Sequence, residues 1–144
     1  MEPTRLLPII SVLSLVTVEY GGYALLGLLT GEGLSQFKQT FFRAGHAHAG
    51  VLLVLSLVYF IYLGRTRFSR GTQWVAGILL LLGILAQSGG FFLHLALGRP
   101  GEGSAGTVLT PIGALLIAAA LITLAFGLTR GLRSSAAGPT AERA

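Results

Sequence analysis

The stretch AGHAHAGVLLVLSLVYFIYLG, residues 44–64, carries no charged side chain along its length and holds two histidines near its start. A helix needs about 20 mostly apolar residues to cross about 30 Å of hydrocarbon, so this segment is long enough to span a bilayer. It does not alternate in polarity as a membrane barrel strand does. Three further charge-poor stretches flank it: 6–31, broken only by Glu19, then 71–98 and 103–129. Together they predict an all-α polytopic membrane protein, a four-transmembrane-helix antiparallel bundle. The expected helices are about 6–30, 41–64, 73–98 and 106–129. They form one domain over 1–133, followed by a disordered cytoplasmic tail at 134–144, which is small, polar and proline-containing.

The composition agrees with that class. Of 144 residues, 53% are hydrophobic and 10% charged, and the mean hydropathy is +0.78. The absence of cysteine excludes disulfides, iron–sulfur clusters and thiolate metal sites. The formal charge of +5 lies in short loops, where it sets topology, so no nucleic-acid partner is expected. Glu2, Pro3 and Pro8 near Arg5 do not make a signal-peptide start, and no small-x-small cleavage site follows.

Orientation follows from the basic residues. One side holds Arg5, Arg65, Arg67, Arg70, Arg130, Arg133 and Arg143; the other holds Lys38, Arg43 and Arg99 with Glu32 and Glu102. The positive-inside rule therefore predicts a multi-pass protein of the cell (plasma) membrane with both termini cytoplasmic. The lipid bilayer is the first partner expected, and the many glycines within the spans permit a homo-oligomer or a larger respiratory complex.

The ionisable residues inside the spans are Glu19, His46, His48 and His94. Such groups cost several kcal/mol at the bilayer centre and usually mark an ion, proton, metal or cofactor site. His46 and His48 are two residues apart, roughly 200° around a helix, so they face different ways. His46 shares its stripe with Gly50. In the third span Gln87, Gly90, Phe91 and His94 form one line: a polar group, a gap, an aromatic wall and a ligand. His46 and His94 each lie about three residues inside the outer end of their expected helices, so their depths match and they could face each other. Glu19, with Tyr23 one turn on, is placed deeper, as a proton relay or a hydrogen-bonding partner below the histidines.

Two chemistries suit opposed imidazoles in an apolar bundle. One is haem b, with His46 and His94 as axial ligands, His48 as alternative ligand, space at Gly50 and Gly90, a wall at Phe91, and Arg43 near the propionates. Its role would be electron transfer or gas (O2 or NO) chemistry near the outer face. The other is a copper, zinc or iron ion bound by His46, His48 and His94, which would bind or transport the metal. A third reading is non-catalytic: an accessory subunit whose polar groups only hold helices together. The pattern names no catalytic residue.

The run Phe42-Arg43-Ala44-Gly45-His46 resembles the haem-ligand helix of haem–copper oxidases and nitric oxide reductases. That resemblance covers roughly a dozen residues and implies for His46 the role of axial ligand to a low-spin haem b. The oxidase subunit has many more helices and further metal-binding histidines, so oxygen reduction is not implied. In general form the chain resembles small four-helix bacterial membrane proteins.

Overall fold

The computed structural model describes residues 2–30 and 33–136, with side chains described as far as residue 130. It contains four helices: α1 Pro3–Thr30, α2 Gln36–Leu63, α3 Arg70–Leu97 and α4 Ala105–Ala136. No strand occurs among the described residues. All four helices are long and apolar enough to cross a membrane. At 1.5 Å per residue, 28 residues reach about 42 Å, which exceeds the hydrocarbon thickness and leaves a polar overhang at the ends.

That overhang accounts for the boundaries. α2 begins at Gln36, five residues before the expected start at 41, because Ser35 caps it by accepting a hydrogen bond from the Lys38 amide at 3.4 Å. Ser69 caps α3 in the same way, through the Thr72 amide at 3.2 Å. α4 runs on to Ala136, so residues 134–136 are helical where a disordered tail was expected; no proline interrupts the chain before Pro139. Residues 137–144, together with Glu32 and Arg143 of the orientation argument, lie outside the described residues. Between α3 and α4 the chain turns at Gly101 with φ +79°, a conformation that disfavours any side chain.

The helices alternate in direction. Near the lower end, Gly77 at the start of α3 lies against Leu7 at the start of α1 and Phe60 near the end of α2. Near the upper end, His94 at the close of α3 meets Phe41 at the start of α2 and Ser104 just before α4. The packing order follows the chain, with α3 against α4 the most extensive contact; α1 and α4 do not touch. The result is an arc of helices with α1 as its loosest member: its most apolar window is only 11% buried.

The core occupies α2, α3 and α4, with Tyr59, Phe60, Leu63, Leu80, Ile84 and Ala120 all enclosed. Tyr59 brings a hydroxyl into that core and satisfies it by donating to the Ala120 carbonyl at 3.1 Å, with the Ala76 carbonyl at 3.4 Å. The α3–α4 seam rests on glycines. A Cβ added at Gly90 would lie 2.8 Å from the Thr110 amide nitrogen, and one at Gly113 would lie 2.7 Å from Gln87 Cα. Backbone meets backbone there, the close approach that small residues allow between membrane helices. α1 attaches through Leu7 and through Ser11, whose Oγ accepts from Ser56 Oγ at 2.8 Å.

Candidate ligand cavity

The corrected start of α2 changes the histidine geometry. His46 lies ten residues inside Gln36, about 15 Å from the upper end of its helix, whereas His94 lies three residues from Leu97, about 5 Å from the end. The matched depth expected for the pair is not present. The two rings also have different surroundings and line different cavities. Bis-histidine ligation of one haem does not fit a single chain arranged in this way.

His94 is 4% exposed and structurally engaged. Its Nδ1 is 2.8 Å from Ser104 Oγ, and its ring stands edge-on to Phe41 and Phe37 at 4.3 and 5.3 Å. His48 is half-buried on the opposite side of α2 from His46, with its ring 4.8 Å from Phe91. Its Nδ1 lies 2.8 Å from the Ala44 carbonyl, which only accepts. Nδ1 therefore donates to it. His46 turns to α1, where its ring packs on a glycine face. A Cβ added at Gly22 would sit 3.2 Å from Nε2, and one at Gly21 3.6 Å from Nδ1.

The three histidines thus occupy three environments. No group of three or more metal-ligating side chains forms among the described residues. The glycines expected to make room for a macrocycle are filled by neighbouring helices: Gly50 faces Val18, and Gly90 receives the α4 backbone at Gly106 and Thr110. Gln87 lies with its backbone against Gly113. Glu19 is exposed on the outer surface of α1, at a depth close to that of His46, and so is Tyr23, 76% exposed. Neither lies below a histidine site. Arg43 is exposed.

One residue of the expected set does border a substantial space. His46 opens on a cavity of about 430 Å³ between α1, α2 and α3. That volume falls within the roughly 300–1,000 Å³ of small-molecule pockets. Small residues (Gly21, Ala49, Gly89) create the space, Phe92 and Leu53 wall it, and no charged residue lines it. Its rim includes Ile10, Leu82 and Leu85, all exposed on the outer surface of the bundle, so the cavity opens sideways.

Ser88, which no sequence motif singles out, also lines this cavity. Its Oγ is buried and has no hydrogen-bond partner within the chain. Serine and threonine in apolar helices commonly donate back to a carbonyl three or four residues earlier. Ser11, Ser56, Thr110 and Thr123 do so here. The available signal was a hydroxyl next to Gly89-Gly90 in an otherwise apolar span.

No protein family, curated protein or solved structure matches the chain. The fold defines a class, a four-helix bundle with membrane-spanning dimensions, and the cavity is its most developed candidate site.

Proposed function

We propose that this is a small multi-pass membrane protein that binds a flat, lipid-soluble ligand in the cavity beside His46. The carrying observation is a sideways-opening, uncharged space of about 430 Å³ that brings an imidazole and an unpartnered hydroxyl into an apolar wall. A solute dissolved in the bilayer reaches such a site without crossing water. The arginine bias supports a topology with both termini in the cytoplasm; His46 and Ser88 then lie toward the outer side of the cell membrane, and the cavity runs from them past mid-membrane to Leu53 and Ile10.

Haem b would belong to this ligand class if His46 held its iron, and when bound it would supply electron-transfer or gas (O2 or NO) chemistry. The test is an absorption spectrum, oxidised and dithionite-reduced, of protein purified in mild detergent after haem supplementation, together with a solvent extract of the same material. The reading expects a co-purifying lipid-soluble compound, seen as a Soret band if it is haem and as an extractable organic molecule otherwise. A His46→Ala variant should retain less of it. A clean preparation with an empty extract would sink the reading. Among the described residues no three-donor cluster supports the bare metal-ion alternative.

The accessory-subunit reading keeps one specific observation in its favour. Glu19, Tyr20 and Tyr23 lie exposed within an apolar span, where a carboxyl facing lipid is costly. A partner helix covering them would relieve that cost. On this reading the protein mass of the detergent-solubilised particle, with bound detergent subtracted, exceeds the 15.0 kDa of one chain, and a strictly monomeric particle argues against it.

A further inference from the structure

We propose that the occupant of the α1–α2–α3 cavity is a quinone-class molecule, a neutral ring carrying carbonyl oxygens and an apolar tail, with one carbonyl accepting a hydrogen bond from Ser88 Oγ. This rests on the reading of that cavity as the ligand site and chooses among the ligands that would fit it.

Ser88 carries the choice. The residue is 6% exposed, lines the cavity, and has a buried hydroxyl with no partner. A buried hydroxyl left unpaired has lost its hydrogen bonds to water without replacement, and a carbonyl oxygen delivered by a ligand removes that cost. His46 supplies a second polar group: its ring makes no hydrogen bond among the described residues and borders the same space. Ser88 lies nine residues from Leu97 and His46 ten residues from Gln36, so both leave their helices about 14 to 15 Å below the upper end. Ser88 and His46 border one space at one level, with Ser14 and Thr17 of α1 adding hydroxyls to its lining, an arrangement that matches a ring with oxygens on its edge.

The walls select against charged ligands. No lysine or arginine lines the cavity, so a fatty-acid carboxylate, a phosphate or the propionates of a haem would enter without a counter-charge. The open rim at Ile10, Leu82 and Leu85 gives an apolar tail a route into the hydrocarbon.

The test is equilibrium binding of decylubiquinone to the full-length protein in nanodiscs, with decylbenzene as a probe that keeps ring and tail but lacks the carbonyls. Wild type should bind decylubiquinone saturably. Ser88→Ala should weaken that binding about fivefold, the effect of one net hydrogen bond, and leave decylbenzene unchanged. Gly89→Leu should abolish binding of both probes. A Cβ at Gly89 meets nothing within 4 Å, so the leucine enters the cavity without displacing a helix. Circular dichroism confirms that each variant is folded. Equal affinity of wild type and Ser88→Ala for decylubiquinone would overturn the proposal. A Soret band lost in Gly89→Leu, with no quinone binding, would overturn the quinone assignment and leave the cavity reading intact. Absence of any ligand sensitive to Gly89→Leu would remove both.

Discussion

Replacing Gly113 with leucine is expected to separate α4 from α3 and to destabilise the bundle by about 3 kcal/mol or more, at the upper end of overpacking costs. The side chain would have to occupy the space now filled by the Gln87 backbone and the Gly83 carbonyl. Neither belongs to a flexible side chain that can swing aside, so the whole helix must move. Helices in a membrane satisfy their own backbone hydrogen bonds, so helix content should stay near that of wild type while packing is lost. Unfolding in mixed detergent and SDS measures the cost, and circular dichroism reports the retained helicity. A leucine variant with unchanged unfolding would show that the seam is looser than described.

The second large effect concerns α1. A leucine at Gly77 would overlap Leu7 of α1 and press on the Phe60 ring of α2. α1 is held by few groups: buried Pro3, Leu7 and Leu25, the Ser11–Ser56 hydrogen bond and the Glu2–Arg70 ion pair, and it does not reach α4. Leu7 is 2% exposed and has little room to swing aside, so Gly77→Leu should displace α1 more than it disturbs the α3–α4 seam. Because the chain has no cysteine, a Ser11→Cys, Ser56→Cys pair gives an unambiguous readout. The two hydroxyl oxygens are 2.8 Å apart, and the pair should crosslink under mild oxidation in the otherwise native chain. Most of that crosslink should disappear when Gly77→Leu is added, and undiminished crosslinking would show that α1 is anchored elsewhere. With α1 goes one wall of the cavity, so the same variant should also release its ligand.

The four helices were legible because a charge-free run of more than 20 residues has one inexpensive fate in a bilayer. Their ends were less so. Hydropathy marks where hydrocarbon stops, and the helices continue past that level: Gln36–Thr40 is helical and polar except for Phe37, and α4 extends beyond its apolar part to Ala136. That five-residue difference in α2 moved His46 deeper than His94 and separated the pair. The divergence of His46 and His48 followed from their spacing and holds in the structure, where one turns to α1 and the other to Phe91. Which neighbour each would meet depends on packing order, which no periodicity carries.

The glycines make the same point at finer scale. Gly89 and Gly90 are adjacent and chemically identical, yet one lines the open cavity and the other is pressed against the backbone of α4. A rotation of 100° separates their roles. At Gly90 the place a side chain would take is filled by α4, and the space left beside it, with Phe91 and His94, is about 210 Å³, smaller than the roughly 300 Å³ at which small-molecule pockets begin. Ser88 drew no attention in the sequence because a hydroxyl in an apolar helix normally bonds to its own backbone. Only the packed structure shows it without a partner.

The most direct test of the central claim, that the α1–α2–α3 cavity holds a lipid-soluble ligand, is native mass spectrometry of wild type and Gly89→Leu released from the same membranes. The account predicts a small-molecule adduct on wild type that is missing from the variant, with identical helicity in both. An adduct carried equally by both proteins, or a bare chain in each, would contradict it.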